Sequence, residues 1–482
     1  MLPRVGYILG AVVAASGAAM LTAVVVSLLY GEWGQATGIG AAALITVSAG
    51  GLAMWRLQLR GELSVREGFA AVGLAWFAMV LFGALPYLLT GSTTAVSDAV
   101  FEAAAGFTTT GASIFPDPSA LSHGILFWRA LTQWVGGMGV IVLSVAILPL
   151  LGVGGMQLVR AESPGPQPDR LTPRFRETAK RLWLIYAGLT ALEAALLAVG
   201  EMNLFQAVAH ALTTMSTGGF GTEAASYAEF SPYTQWVTVV FMVLAGTSFA
   251  LHYRGLRRPA SYLRHPEFRL YLLFLVLAIT VVTFRIWEGG PLGETIRTST
   301  FNVTSILTTT GYASADFATW PSGVQILLVG LMFVGGMAGS TAGSVKVYRL
   351  AVLTRASVAD LRRFLHPRGV FVTRFGEQRV PDAIVQSVQS FFLFYMFLFM
   401  TGTLVMGLIE SSLAAGLDLV TSASAVASAL GNIGPGLGLV GPTANYLLVP
   451  AAGKWLLAFL MVVGRLELFP VLLLFTPELW KR

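Results

Sequence analysis

The stretch Thr108-Thr109-Thr110-Gly111-Ala112 recurs, with one replacement, as Thr308-Thr309-Thr310-Gly311-Tyr312. Two looser counterparts are Ser216-Thr217-Gly218-Gly219-Phe220, which lies between them, and Gly431-Asn432-Ile433-Gly434-Pro435, which follows them. Each stretch comes after a short apolar segment and before a much longer one. Four glycine-centred turns that carry hydroxyl or amide groups, within one very hydrophobic chain, indicate a pore with four-fold pseudo-symmetry.

The composition is that of an integral membrane protein. Of the 482 residues, 55% are hydrophobic and 11% are charged, whereas soluble domains carry about 25% charged residues. The absence of cysteine excludes disulfides, iron–sulfur clusters and thiolate zinc sites. The five histidines show no metal-ligand spacing. The net charge of +6 fits basic cytoplasmic loops better than binding of nucleic acid.

A repeating unit follows an N-terminal pair of apolar spans. Each unit has a span, a short apolar segment, a glycine turn and a longer span, and a repeated order of this length predicts pseudo-symmetric units. We therefore predict an all-α integral membrane protein with four membrane–pore-loop–membrane repeats around a central pore. The predicted parts are an N-terminal transmembrane hairpin at 1–60 and pore repeats at 61–155, 156–256, 257–352 and 353–482.

Charge gives an independent prediction of topology. If every glycine turn lies outside, 25 of the 30 lysines and arginines fall on the inner side, which agrees with the positive-inside rule. Both termini are then cytoplasmic, in a multi-pass protein of the bacterial inner membrane.

The short segments, predicted at 97–107, 204–215, 293–307 and 416–430, are about half a membrane thickness long as helices. Non-helical backbone at membrane depth is tolerated only where it is buried in protein or lines a water-filled cavity. Each turn is therefore interpreted as a re-entrant loop. Ser97 and Asn203 are predicted to cap the first two segments. The partly negative helix ends would face the pore centre and favour a cation.

A cation that loses its water needs oxygen ligands, and rings of backbone carbonyls supply them in known filters. Glycine allows consecutive carbonyls to face one axis, and threonine adds hydroxyls without charge. The predicted filter glycines are Gly111, Gly218, Gly311 and Gly434. The complete predicted filter consists of Thr109, Thr110, Gly111, Thr217, Gly218, Thr309, Thr310, Gly311, Asn432, Ile433 and Gly434.

The longer spans, predicted at 125–152, 233–253, 322–350 and 447–476, all contain small residues. Close helix packing is the favoured interpretation at Gly136–Gly139 and at Ala245–Ser248. From Gly335 to Ser344 the run of small residues is too long for a straight helix, so it predicts an unwound loop below the filter. The residues predicted to form a gate are Gly335, Gly336, Gly339, Ser340, Thr341, Gly343 and Arg465.

Arg465 lies in the middle of an apolar span, where a charge is costly unless it faces the protein interior or a partner. Two interpretations are open. Arg465 could act as a barrier to cations beside the loop, or Glu467 could neutralise it, which would make Arg465 mainly structural.

Several stretches of the chain resemble the Trk/Ktr/HKT superfamily of cation transporters, and within it the TrkH type of bacterial potassium uptake subunit. They cover nearly the whole chain: Phe127–Arg129, Gly136–Gly139, Gln157–Pro166, Ser216–Phe220, Gly339–Gly343, Asn432–Gly438 and Gly464–Glu467. The resemblance implies one path for potassium, the transported ion, with no organic cofactor bound by this chain and no enzymatic activity. It also implies a homodimer that binds a cytosolic TrkA-type regulatory subunit, itself a binder of NAD(H) or adenine nucleotides.

Two positions depart from the family pattern: Thr247-Ser248, where an asparagine is expected, and Ser344, where glycine is frequent. In related HKT proteins a serine at the first filter glycine is associated with sodium, so Gly111 favours potassium. The alternative function is a sodium-permeable or proton- or sodium-coupled cation symporter of the same fold. An inverted-repeat transporter of organic solutes is disfavoured because the four repeats share one orientation.

Overall fold

The computed structural model of the protein describes residues 2–57, 64–146, 172–411 and 418–480. The repeat boundaries at 60 and 155, the end of the span predicted at 125–152 and the stretch Gln157–Pro166 lie outside these ranges. The longer helices are Leu2–Leu29, Trp33–Arg56, Val65–Gly83, Val96–Phe107, His123–Ala146, Thr172–Val199, Leu204–Met215, Pro232–Ala245, Pro266–Ile286, Leu292–Leu307, Ser322–Met332, Val347–Leu365, Asp382–Ser411, Leu419–Gly431 and Ala451–Arg465.

Shorter elements complete the described chain. They are the helices Leu85–Leu89, Phe249–Gly255, Ser261–Arg264, Phe469–Leu472 and Pro477–Trp480, four single 3₁₀ turns, and a two-stranded hairpin of Arg374–Phe375 with Gln378–Arg379. In these ranges six helices are long and apolar enough to cross a membrane, or eight spans if each of two bent helix pairs counts as one. The prediction of an all-α, multi-pass membrane protein is confirmed.

The first two helices pack against each other, and glycines let their backbones approach closely. A Cβ atom on Gly50 would lie 2.5 Å from the carbonyl oxygen of Gly10, and one on Gly17 would lie 2.9 Å from the backbone nitrogen of Val47. Contacts between small residues hold helices together where the surrounding lipid gives no hydrophobic drive for association.

Four short helices, numbered here 1 to 4, are Val96–Phe107, Leu204–Met215, Leu292–Leu307 and Leu419–Gly431. Asn203 caps short helix 2 through a reciprocal pair of hydrogen bonds with Gln206, as predicted. The predicted cap at Ser97 is wrong, because short helix 1 begins at Val96 and the Ser97 hydroxyl donates to Asp98 at 3.2 Å. Asp418 caps short helix 4, and hydrogen bonds from Thr421 hold the pKa of its carboxyl below the ordinary value.

The helix after the third loop is interrupted, as predicted. It ends at Met332, and a new helix begins only at Val347. We call the irregular residues 333–346 the intramembrane loop. Positive φ angles at Gly335 (74°), Gly339 (78°), Ser344 (61°) and Lys346 (74°) bend the backbone away from helical geometry.

The small residues of the second repeat break their helix, which contradicts the packing interpretation. Pro232–Ala245 and Phe249–Gly255 meet at an angle of 102°. The intramembrane loop takes the carbonyls at the break: Met337 donates its N–H to Gly246 O at 2.9 Å, and the Thr341 hydroxyl donates to Ala245 O at 3.1 Å. The helix therefore breaks here because of contacts with a distant part of the chain.

Gly136–Gly139, by contrast, lie inside the continuous helix His123–Ala146, and close packing explains them. A Cβ atom on Gly136 would lie 1.8 Å from the carbonyl oxygen of Phe107. The fourth repeat bends by 117° after Arg465, where Glu467 and Leu468 adopt positive φ angles of 54° and 66°.

Candidate functional site

The four short helices end in the same backbone geometry. In each, a residue with a positive φ angle follows the helix: Thr109 (52°), Thr217 (53°), Thr309 (58°) or Asn432 (55°). The next residue donates its N–H back into the helix, through the pairs Thr110–Ala105 at 2.9 Å, Gly218–Thr213 at 2.7 Å, Thr310–Ser305 at 2.8 Å and Ile433–Ser428 at 3.0 Å. These bonds fix the structural correspondence of the loops, which we define as loops 1 to 4: Thr108–Ala112, Ser216–Phe220, Thr308–Tyr312 and Gly431–Pro435.

This correspondence differs from the predicted alignment of the loops, which takes Gly218 as the second filter glycine. Gly218 occupies the position of Thr110, and the counterpart of Gly111 is Gly219, since both have φ of +78°. Gly311 (84°) and Gly434 (112°) complete the set. The sequence Thr-Gly-Gly offers two adjacent glycines, and only the φ angle distinguishes them.

The glycines with positive φ join the loops into a closed ring. A Cβ atom on any of them would collide with a carbonyl oxygen of the next loop, because real Cβ atoms essentially never approach within 3.0 Å. The distances from that Cβ would be 2.1 Å from Gly111 to Gly218 O, 1.9 Å from Gly219 to Thr310 O, 1.8 Å from Gly311 to Ile433 O and 2.7 Å from Gly434 to Thr110 O. The last contact returns to loop 1, so the loops follow one another in chain order around one axis.

A cavity of about 100 Å³ lies against this ring. Its lining includes residues of all four loops, with Arg129 and Glu223 at its wall. The residues that line the cavity include the four ring glycines Gly111, Gly219, Gly311 and Gly434. The ring therefore borders an opening that a small solute could enter.

The intramembrane loop packs against the ring and against the ends of the short helices. Gly343 donates its N–H to the Thr309 hydroxyl at 2.8 Å, and a Cβ on Gly343 would lie 2.3 Å from Gly431 O. The Thr341 hydroxyl donates to Met215 O at 3.1 Å. Contacts of this loop thus reach the second, third and fourth repeats.

The other predicted gate residues build the interior of the intramembrane loop. A Cβ on Gly335 would lie 2.6 Å from Gly343 O, and one on Gly336 would lie 2.8 Å from Gly246 O. The carbonyl of Gly339 accepts the N–H of Phe249 at 3.0 Å. The Ser340 hydroxyl donates to Met337 O at 2.6 Å. The predicted gate residues of the intramembrane loop therefore lie close together in the structure.

Arg465 reaches the intramembrane loop, and its exposed fraction is only 2%. Its Nη1 donates to Thr341 O at 2.6 Å, and its Nη2 donates to Gly136 O at 3.3 Å. Glu467 forms its ion pairs with Lys346 at 2.6 Å and with Arg349, so it is not the direct partner of Arg465, although its charge lies near enough to act on Arg465 through space. Arg465 has carbonyl partners and no carboxylate partner within the described residues.

Both departures from the family pattern take part in local hydrogen bonds. The Thr247 hydroxyl donates to Val243 O at 2.8 Å, at the end of the broken helix. The Ser344 hydroxyl donates to Met332 O at 2.6 Å, where the preceding helix ends. Ser344 also adopts the positive φ angle, 61°, that glycine adopts most readily.

Comparison with known proteins identifies the chain's relatives. The family model described as "TrkH: Cation transport protein" matches residues 36–482. The chain belongs to the TrkH family of cation transport proteins. It is 40% identical to the Trk system potassium uptake protein TrkH of Halomonas elongata and 37% identical to that of Escherichia coli K12, with 98% of both chains covered in each case. The crystal structure of the potassium transporter TrkH from Vibrio parahaemolyticus superimposes with a TM-score of 0.91 at 34% identity and complete coverage of both chains. TrkH proteins are transporters and not enzymes.

In this TrkH-family chain, polar side chains at one shared position secure the segments that follow the loops. The position is the fifth residue before the end of short helices 1, 2 and 3. Glu102 accepts the N–H of Ile114 at 3.0 Å, His210 bonds to Thr222 at 3.1 Å, and Asn302 accepts the N–H of Ser314 at 3.2 Å. Sequence reasoning missed these residues, although a polar residue recurring at one position of three apolar segments is a detectable signal.

Two side chains of the helix His123–Ala146 bind loop 2 and its neighbouring residues, and one of them also binds short helix 1. Arg129 is 1% exposed; its Nε donates to Glu102 at 2.8 Å, its Nη1 donates to Gly221 O at 3.2 Å, and its guanidinium lies 4.1 Å from the Phe220 ring centroid. Gln133 donates to Gly218 O at 2.7 Å and accepts the N–H of Phe220 at 3.1 Å. These bonds hold loop 2 and the segment that follows it at fixed positions.

Replacing Glu102 with alanine is expected to lower the free energy of unfolding by about 3–5 kcal/mol, because Arg129 would stay buried without its counter-charge. The double variant E102A/R129M should recover part of this loss, since it removes the orphaned charge as well. Thermal unfolding in detergent measures both, with the exposed Glu229→Ala as control. Equal stability of E102A and the parent would contradict the assigned pairing.

Proposed function

We propose that this protein takes up potassium ions across the bacterial inner membrane through a channel-like pore. The observation that carries the proposal is the closed ring of loops 1 to 4, in which each glycine with positive φ abuts the next loop. The relatives from Halomonas elongata and Escherichia coli K12 are potassium uptake proteins, which supports potassium as the ion. A fixed ring of uncharged oxygens suits a cation that must shed its water.

The proposed selectivity filter consists of the residues predicted from the sequence with Gly219 added. Each short helix directs its partly negative end toward the ring, which stabilises a cation there. Asn432 also ties loop 4 to loop 1, since its Nδ2 donates to the Thr110 hydroxyl at 3.1 Å and to Met461 O at 2.8 Å. A rigid ring discriminates between ions better than a loose one, because oxygen ligands held at fixed distances match the size of one ion.

The proposed gate is the intramembrane loop together with Arg465. The loop occupies the space against the inner ends of the short helices, where it holds hydrogen bonds from three repeats. Arg465 adds a positive charge that repels cations from the path below the filter. Opening then requires the loop to give up bonds such as those of Thr341 and Gly343.

The surrounding assembly is part of the same proposal. From the positive-inside rule we infer that both termini and the inner loops are cytoplasmic. We expect a homodimer bound there by a TrkA-type nucleotide-binding subunit. The alternative is a sodium-permeable or ion-coupled symporter of the same fold. The two differ in the ion whose gradient drives the flux.

Flux through the purified protein in liposomes tests the function. Potassium and rubidium uptake should each exceed sodium uptake under equal gradients, and protein-free liposomes give the background. Sodium uptake equal to or greater than potassium uptake would favour the alternative. Absence of any cation flux, with and without cytosolic extract, would contradict both.

Replacing Thr341 with alanine is expected to raise basal potassium flux roughly fivefold, because a lost neutral hydrogen bond is worth about 1 kcal/mol. The potassium-to-sodium ratio should not change, since the filter residues stay intact. The control is Thr354→Ala, an exposed threonine on Val347–Leu365 that bonds only within its own helix. A changed ion ratio with unchanged flux would reverse the assignment of gate and filter.

A further inference from the structure

Glu193 is a buried carboxyl group to which the proposed function assigns no role. It lies in the apolar span Glu177–Val199 and has an exposed fraction of 0%. Within the described residues neither of its carboxylate oxygens has a hydrogen-bond partner, and it forms no ion pair. A charge buried inside a membrane protein without a partner costs several kcal/mol, so an acid in this setting takes up a proton.

The groups that face Glu193 carry no compensating charge. They are the Thr214 hydroxyl of short helix 2 and the phenol groups of Tyr186, Tyr227 and Tyr312. The hydroxyl of Tyr227 also lacks a hydrogen-bond partner. His210, whose ring lies 5.1 Å from that of Tyr227, is fully buried, and its Nδ1 has no partner in the described part of the chain. Unsatisfied polar atoms therefore cluster behind short helix 2.

Two of these neighbours, Thr214 and Tyr312, contact the residues that hold loops 2 and 3 in place. The Thr214 hydroxyl donates to His210 O at 2.8 Å, and its carbonyl accepts the N–H of Thr217 at 2.8 Å. The Tyr312 hydroxyl lies 3.3 Å from the Thr214 hydroxyl, and Tyr312 follows Gly311 directly in loop 3. A change of charge at Glu193 therefore acts on residues that hold loops 2 and 3.

We propose that Glu193 is a proton-binding site behind the second and third loops, and that loss of its proton lowers cation conduction. The proposal rests on the proposed function of the ring. With the proton bound, the carboxyl group is neutral and donates a hydrogen bond to an oxygen of this cluster. Without it, the carboxylate draws the Thr214 and Tyr312 hydroxyls toward itself, and their present bonds to short helix 2 are lost.

The sign of the pH effect follows from this account. Conduction is present while Glu193 is protonated and falls as the pH rises through its ionisation. A single proton changes the protonated fraction by at most about tenfold per pH unit, which limits the steepness of the fall. Glutamine has the shape of the neutral acid and cannot ionise, so Glu193→Gln should keep the low-pH flux at all pH values.

Potassium flux in liposomes, measured over a series of pH values for the parent and for E193Q, tests the proposal. The control is Glu177→Gln, which removes an exposed carboxyl from the same helix. Loss of the alkaline fall in E193Q but not in E177Q is the expected result. Equal pH dependence of E193Q and the parent, or a parent flux that does not change with pH, would overturn the proposal.

If E193Q does not fold, Glu193→Met takes its place, because methionine fills a similar volume without a charge. Infrared pH-difference spectra supply a readout independent of transport: the parent should lose a protonated-carboxyl band at alkaline pH, and the variant should lack that band. A band that is unchanged in the variant overturns the site. Absence of cation flux from the parent at every pH would instead count against the proposed function, and the infrared comparison would still decide whether Glu193 binds a proton.

Discussion

Potassium flux is expected to fall at least about 100-fold when Gly219 is replaced by alanine, equivalent to ~2.7 kcal/mol or more. Gly219 has φ of +78°, a conformation that costs a residue with a side chain about 1–2 kcal/mol. The new Cβ would also lie 1.9 Å from Thr310 O, and that backbone atom cannot move without displacing Gly311. Strain at one glycine thus spreads around the closed ring.

The matched control for G219A is Gly289→Ala. Gly289 has φ of +88°, but a Cβ atom there would meet nothing within 4 Å. Its variant carries the conformational cost without the collision, so its flux should stay near that of the parent. Liposome flux measures both. Parent-like conduction by G219A would contradict the correspondence of Gly219 with Gly111, and Gly111→Ser, with a Cβ 2.1 Å from Gly218 O, should fail for the same reason.

Replacing Arg465 with methionine is expected to raise potassium flux roughly tenfold in the absence of a cytosolic partner. An uncompensated positive charge beside the path repels a cation, and a change of about 1.4 kcal/mol in that repulsion corresponds to a tenfold change in flux. Arg465 is buried and forms no ion pair in the described ranges, and the nearby Glu467 is already paired with Lys346 and Arg349. Methionine preserves much of the volume and removes the charge.

The control for R465M is Arg285→Met, which removes an exposed arginine from the end of Pro266–Ile286. Its flux should match that of the parent. The ratio of potassium to sodium flux should be unchanged in R465M, because the residues of the ring remain in place. Flux equal to that of the parent, in a variant that is correctly folded, would contradict the assignment of Arg465 to the gate.

Apolar length and spacing predicted much of the fold. The segment predicted at 204–215 is a helix with those bounds, and the interruption from Gly335 to Ser344 falls within the irregular residues 333–346. These features depend on local properties: hydrophobic runs, a capping asparagine and a concentration of glycine that cannot sustain a helix.

Three features that the sequence analysis missed depend on distant contacts. The helix break after Ala245 exists because the intramembrane loop, almost a hundred residues later, takes its carbonyls. Gly219 is distinguished from Gly218 by a φ angle that loops 2 and 3 set together. Glu467 lies near Arg465 in sequence, but Lys346 and Arg349 reach it from the third repeat. No local pattern could reveal these partners.

The reversal potential of the purified protein in a planar bilayer, with potassium on one side and sodium on the other, tests the central claim most directly. If the ring of loops 1 to 4 is a potassium filter, the reversal potential moves toward the equilibrium potential of potassium and changes sign when the two solutions are exchanged. A reversal potential that stays near zero, or that follows the sodium gradient, would contradict it.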